Sequence, residues 1–243
     1  MYHRFCLKKR HMKSNTKFAL ITGASSDIGK SIAITLAQNG YNLILTSKTT
    51  GELTQAAGEV SRVSGSSEPI LTIPTDLTNL KEIQKLTDQV KLATPRLDVL
   101  VNVAGVYHDG SKAFYKIDYD KYSTSQVLTT MAVGLTAPML LIHALIPLMP
   151  PGSRIMNISG TFEGGAKGWL PYYVSKKALE DLTIGLSQEL KDKGILVNCI
   201  SPSDTYTASY SKFFRSLPTQ AHALYQNKWR TWQKPYFPKM RML

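Results

Sequence analysis

The chain has 243 residues, 43% of them hydrophobic, and a formal net charge of +12. That length suits one α/β unit with an ample core, and the longest apolar stretches are broken by polar residues, which predicts no membrane span. Two cysteines, Cys6 and Cys199, argue against a disulfide framework and for a reducing, cytoplasmic setting.

The charge sits at the ends. Residues 1–17 carry six cations and no acid, residues 205–243 carry seven and no acid, and residues 18–204 carry 16 cations against all 17 acids. A neutral body between solvated basic tails is expected, and nucleic acid is not the expected partner. The opening MYHRFCLKKRHMK has no apolar stretch of the secretory kind. It is basic and acid-free like a transit peptide, so organelle targeting stays open beside an upstream extension with Met12 as the true start.

Along the chain, KFALITG (17–23) is a short apolar run ending in Gly and reads as a buried strand. IGKSIAITLAQNG follows with Ile28, Ile32, Leu36, Ala33 and Ala37 at helical spacing, closed by Asn39-Gly40. YNLILTSK is a second strand, ELTQAAGEVSRVSG a weaker helix and PILTIPTDL a third strand. NLKEIQKLTDQVKLA places Leu80, Ile83, Leu86 and Val90 on one stripe behind Asn79 as N-cap. RLDVLVNVAG is the fourth strand, and a long helix is predicted from Tyr119 to Met149, stopped by Pro150-Pro151-Gly152. SRIMNIS is the fifth strand, YYVSKKALEDLTIGLSQELKDKG a helix ended by Gly194, and ILVNCIS the sixth strand. Six alternations of strand and helix predict an α/β fold, a three-layer doubly wound parallel sheet of six strands, followed by an atypical C-terminal tail. Ligands of such sheets bind at the carboxyl ends of the strands.

The suggestive stretches follow strand ends. TGASSDIG (22–29) is a glycine-bearing turn between the first strand and the first helix, where a diphosphate can approach the backbone and meet the free N–H groups of the helix start. YYVSKK sets Tyr172 four residues before Lys176 and Tyr173 four before Lys177. On a helix each pair shares a face and could serve as an acid–base couple; spacing alone leaves both open.

With NVAG (102–105) after the fourth strand, these stretches make the chain resemble the short-chain dehydrogenase/reductase family. Its signature is Thr-Gly-x-x-x-Gly-x-Gly, then Asn-Asn-Ala-Gly, then Tyr-x-x-x-Lys, and the resemblance spans roughly residues 17–207. It implies hydride transfer between a nicotinamide and a small carbonyl or secondary alcohol. The form Tyr-x-x-Ser-Lys selects Tyr172 as the acid or base and Lys176 as the residue that lowers its pKa and holds the ribose. Ser159, 13 residues before Tyr172, is the expected hydroxyl on the substrate oxygen. The family has its second Ser where this chain has Gly160, so either Ser159 or Thr161 substitutes. Gly134 stands at the Asn position of the long helix.

The same resemblance implies cofactor contacts from Gly23, Ser25, Asp27, Ile28 and Gly29, with Asp27 replacing a usual Gly. Further contacts are implied from Asp76 and Leu77 at the adenine, from Asn102, Ala104 and Gly105 beneath the cofactor, and from Pro202 and Thr205 (or Thr207) at the carboxamide. Lys48 after the second strand, with no acid until Glu52, favours NADP(H) over NAD(H). Expected units are a basic extension (1–16), a dinucleotide-binding and catalytic unit (17–211) and a basic aromatic tail (212–243). A homo-oligomer is implied. A cofactor-binding sensor or scaffold with weak catalysis is the rival reading, favoured by Gly134, Gly160 and Ser203.

Overall fold

The computed structural model describes residues 16–65, 70–108, 113, 114, 116–160, 162, 167–202 and 207. Six parallel strands form one sheet in the order β3-β2-β1-β4-β5-β6: β1 (Lys17–Thr22), β2 (Tyr41–Thr46), β3 (Leu71–Thr72), β4 (Val99–Asn102), β5 (Arg154–Ile158) and β6 (Leu196–Ile200). Six α-helices accompany it: α1 (Asp27–Gln38), α2 (Thr50–Ser64), α3 (Leu80–Ala93), α4 (Thr124–Met131), α5 (Ala137–Leu145) and α6 (Leu170–Glu189).

Both faces of the sheet are covered, and β1 shows why. Phe18 and Leu20 join one core with Ile83, Leu86 and Val90 of α3 and Leu141, Ile142 and Leu145 of α5. Ala19 and Ile21 point the other way, into a core with Ala33 and Ala37 of α1 and Leu53 and Val60 of α2. A strand buried on two sides needs an unbroken apolar run rather than alternation, which is what residues 18–21 supply. The order reverses between β1 and β4, so the crevice at their carboxyl ends lies at a topological switch point.

Several boundaries differ from expectation. The third strand shrinks to two residues, although Ile73 N and Thr75 N still donate to Leu45 O and Ser47 O, each at 2.9 Å. Pro74 lies between them and has no N–H, a residue tolerated on an edge strand. In α3, Asn79 caps as expected, accepting from Lys81 N and Glu82 N, but Leu80 is 64% exposed and Thr87 takes an inward place.

The long helix begins at Thr124, not Tyr119. Ser123 and Gln126 form a capping box there, which fixes the start. Between α4 and α5, residues Ala132–Thr136 form a π turn. Pro138 explains it: proline offers no N–H and its ring presses on the carbonyl four residues back, so the ladder widens just before it. The stretch Thr124–Leu148 is long and apolar enough to cross a membrane by length and composition. Its inward residues Ala137, Leu141, Ile142 and Leu145 belong to the core of the sheet.

Candidate active site

The turn after β1 is built tightly. Gly23 has φ +62, a left-handed conformation that favours glycine, and a Cβ there would lie 2.9 Å from the Ala104 backbone. The loops after β1 and β4 therefore touch. Thr22 Oγ1 ties them further by accepting from Val103 N at 3.1 Å and Ala104 N at 3.2 Å. Ser26 is the N-cap of α1, accepting from Gly29 N at 3.1 Å and donating to Gly23 O at 2.7 Å. Asp27, at the first position of the helix, faces Lys30 at 3.4 Å. The carboxylate in place of the usual Gly is thus part of a side-chain pair and not the cap.

After β2, Lys48 meets Asp76 from the loop after β3, with Nζ 2.8 Å from the carboxylate. Asp76 also accepts from Thr78 N and Oγ1, and Lys48 and Thr78 hold its carboxyl below the usual carboxylate range even though burial opposes that shift. Leu77 is buried beside it.

On the opposite side of the crevice, Tyr172 and Lys176 lie one turn apart in the first half of α6, and Gly105 packs against both. A Cβ on Gly105 would sit 3.2 Å from Lys176 Nζ and 3.4 Å from Tyr172 Cε2. Lys176 is 1% exposed, and its Nζ donates to Ile158 O at 2.7 Å. Burial lowers its pKa to about 8, against a small upward push from Cys199. Tyr172 is raised above the ordinary phenol range by burial, with the Tyr107 phenol adding to the shift. Rings of Tyr107, Phe162 and Trp169 surround it, with centroids 6.0, 5.8 and 6.1 Å away.

Comparison with known proteins settles the family. The model for short chain dehydrogenase matches residues 17–217. The chain belongs to the short-chain dehydrogenase/reductase family. An uncharacterized oxidoreductase of Staphylococcus saprophyticus is 33% identical over 192 residues, covering 76% of this chain and 77% of that one. The uncharacterized Escherichia coli oxidoreductase YciK is 28% identical over 203 residues, with 82% and 78% covered. Among solved structures, a short chain dehydrogenase of Shigella flexneri complexed with NADP superposes with a TM-score of 0.72 at 26% identity, covering 84% of each chain. One from Burkholderia cenocepacia in complex with NADP gives 0.68 at 26% identity, with 79% and 76% covered.

Within this dehydrogenase/reductase, the sequence-predicted residues fall into groups. Gly23, Ser25, Ile28 and Gly29 lie along the turn and first helix turn, with Gly23 packed on Ala104 and Asn102 paired with Thr22 at the end of β4. Lys48, Asp76 and Leu77 form a second group, and Tyr172, Lys176 and Gly105 a third. Pro202 is half-buried just after β6. Thr205, like Thr161 and Ser203, lies outside the described residues.

Two expectations need correction. Ser159 is 3% exposed and its hydroxyl points at α6, 2.7 Å from Glu180 Oε1 and 3.2 Å from Lys176 O. It braces strand β5 against helix α6, because a buried hydroxyl seeks the nearest acceptors. Nor does the protein by itself lower the Tyr172 pKa. Burial of the phenol, with Tyr107 beside it, raises that pKa, and the Lys176 amine is bonded to Ile158 O.

The residues missed by sequence reasoning are those with no fixed place in a motif. Glu180 gathers Ser159, Ser201 and Lys177 on one carboxylate. Tyr107, Phe162 and Trp169 come from three separate segments. The only available signal was that each flanks a recognised motif. Asn102 Nδ2 donates to Asn157 Oδ1, and Asn157 Nδ2 to Thr183 Oγ1, each at 2.9 Å, a buried polar chain linking β4, β5 and α6.

The crevice fits a dinucleotide. Thr46 Oγ1, Ser47 Oγ and Asn102 Oδ1 are buried with no hydrogen-bond partner among the described residues, and all three lie at the carboxyl ends of β2 and β4. Buried polar atoms without partners are costly, and these cluster where the family holds its cofactor.

Proposed function

We propose that this oxidoreductase is NADP-dependent and transfers hydride between nicotinamide and a small carbonyl or secondary alcohol, with Tyr172 as acid or base. The observation that carries the reading is the joint packing of Tyr172 and Lys176 against Gly105, beside the crevice with the orphaned Asn102 oxygen. A nicotinamide supplies and takes the hydride when bound. The chain's part is to hold it, exclude water and move a proton. Gly23, Ser25, Ile28 and Gly29 would hold the diphosphate on the N–H groups of α1. Asp76 and Leu77 would flank the adenine, and Asn102, Ala104 and Gly105 would floor the site. Lys176 would hold the ribose, and Pro202 and Thr205 would meet the carboxamide.

Tyr172, raised by burial, stays protonated at neutral pH and is therefore poised as a proton donor, the form that carbonyl reduction needs. Lys48 supports NADP over NAD. It is 75% exposed, and its bond to Asp76 is a surface pair worth at most about 1 kcal/mol, so a 2′-phosphate can share it. Ion pairing with Lys30 turns Asp27 into a local partner of a cation, which softens its repulsion of a diphosphate. Membership of the family supports a homo-oligomer, which light scattering would measure.

The test is NADPH binding by nicotinamide fluorescence together with turnover on a panel of ketones, quinones and keto-esters. Tyr172→Phe is expected to abolish turnover while leaving NADPH affinity within a few-fold, and Tyr173→Phe to retain it. A second reading, a cofactor-binding sensor, is favoured by the commitment of Ser159 to Glu180. NADPH binding with no oxidation across the whole panel would select it.

A further inference from the structure

The carboxylate of Glu180, one turn beyond Lys176 on α6, joins three segments of chain. Its Oε1 accepts from Ser159 Oγ, just after β5, at 2.7 Å and from Ser201 Oγ, just after β6, at 2.9 Å. Its Oε2 faces Lys177 Nζ on the same helix. Burial pushes the carboxyl up, but the bonds from Lys177, Ser159 and Ser201 outweigh it and hold the group below the usual carboxylate range, so Glu180 is an anionic acceptor at neutral pH. Hydrogen bonds to an ionised acceptor are the strong kind. The lysine pair lies within one helix turn and Lys177 is half-exposed, so that pair adds little. The two serine bonds run between elements.

The two serine bonds are placed differently in the fold. Ser159 N donates to Ile200 O at 2.8 Å, and Ile158 O beside it accepts from Lys176 Nζ at 2.7 Å. The chain after β5 is therefore fastened to β6 and to α6 by these bonds as well. β6 is an edge of the sheet, and Ser201, the residue that follows it, is exposed. Pro202 comes next and has no N–H with which to extend the ladder. The bond from Ser201 to Glu180 ties the start of this segment to the helix that carries Tyr172 and Lys176.

We infer that Glu180 is a positioning residue for the nicotinamide end of the cofactor. By accepting from Ser159 and Ser201 at once, it fixes the spacing between the chain after β5 and the chain after β6. It thereby sets where Pro202 stands relative to Lys176, one turn back on the same helix. The inference rests on the proposed reading, in which Lys176 holds the ribose and the segment from Pro202 meets the carboxamide. Glu180 acts through the two serines and moves no proton.

The test is a binding measurement and needs no substrate. Glu180→Leu removes the acceptor at similar bulk, and Glu180→Gln keeps an oxygen for the two serines while giving up the charge. The two ligands are NADPH and adenosine 2′,5′-bisphosphate, which carries the adenosine end of the cofactor and no nicotinamide. In Glu180→Leu the NADPH Kd is expected to rise about 10-fold, the scale of one hydrogen bond, and the nicotinamide emission of the complex to weaken. The Kd of the bisphosphate should stay at its wild-type value. Glu180→Gln should recover most of both losses. Ser201→Ala, an exposed substitution that keeps the Glu180 side chain, should show the same selective loss, and it decides the matter where Glu180→Leu does not fold. Equal losses for the two ligands would mean a general loosening of the fold and overturn the inference. Unchanged NADPH affinity and emission also overturn it, as does a Glu180→Gln variant no better than Glu180→Leu. A wild-type protein that binds no NADPH defeats the underlying reading instead, a failure seen before any variant is made.

Discussion

At the residue scale, Lys176 decides most. A fully buried ammonium is held by one carbonyl, that of Ile158, and pays for desolvation with a pKa lowered to about 8. Its folded-state value lies below the unfolded value of 10.5. Between these two values the unfolded chain binds more protons, so stability rises with pH across that window. Below pH 8 the buried charge exerts its full destabilising effect, and the effect fades as pH climbs toward 10.5. Relative to Lys176→Met, the wild type should therefore gain stability from pH 7.5 to pH 10, seen as converging urea midpoints. A gap independent of pH would show that the lysine titrates normally. Tyr172 responds to the same burial in the opposite sense, because its charged form is the deprotonated one.

At the scale of elements, the contact between the π turn and α6 is a tight fit near the site. Gly134 is buried there, and a Cβ would come within 2.6 Å of Ser175 Oγ and 2.9 Å of Ser175 Cβ. Ser175 is fully buried and donates to Tyr172 O at 2.7 Å, so it is not free to swing away without losing that bond. The Asn that the family has at this position therefore does not fit the present packing. Gly134→Asn is expected to destabilise by about 1–3 kcal/mol, the usual cost of overpacking, and not to raise activity. Ser175→Gly in the same background should recover part of the loss. An equal or higher urea midpoint in Gly134→Asn alone would refute the steric account.

At the scale of the whole molecule, the proposed cofactor bridges loops from both halves of the sheet, so binding should stabilise the fold as a unit. Ligand at 100 times its Kd adds about 2.7 kcal/mol, which in a protein of this size corresponds to roughly 5–10 °C in Tm. NADPH should give that shift, and Lys48→Ala should shrink it at fixed NADPH while leaving any NADH shift alone. Equal shifts by both cofactors in the wild type would remove Lys48 as the discriminating residue. The layout behind this was legible early: unbroken apolar runs such as residues 18–21 announce two-sided burial, and the turn TGASSDIG marks the strand-to-helix junction, whereas spacing alone did not choose between Tyr172–Lys176 and Tyr173–Lys177. The short third strand, the capped start at Ser123 and the π turn were partly written at Pro74, Gln126 and Pro138, but were overshadowed by apolar periodicity. What the chain determined by itself is the parallel sheet and the crevice at its carboxyl ends, because these depend on hydrophobic period and on turns within one segment. What only tertiary structure decided is which side chains meet across the crevice. Ser159 faces Glu180 and not the crevice, and Tyr107 comes to Tyr172 from 65 residues away in sequence because packing, not spacing, selects the partners of a side chain.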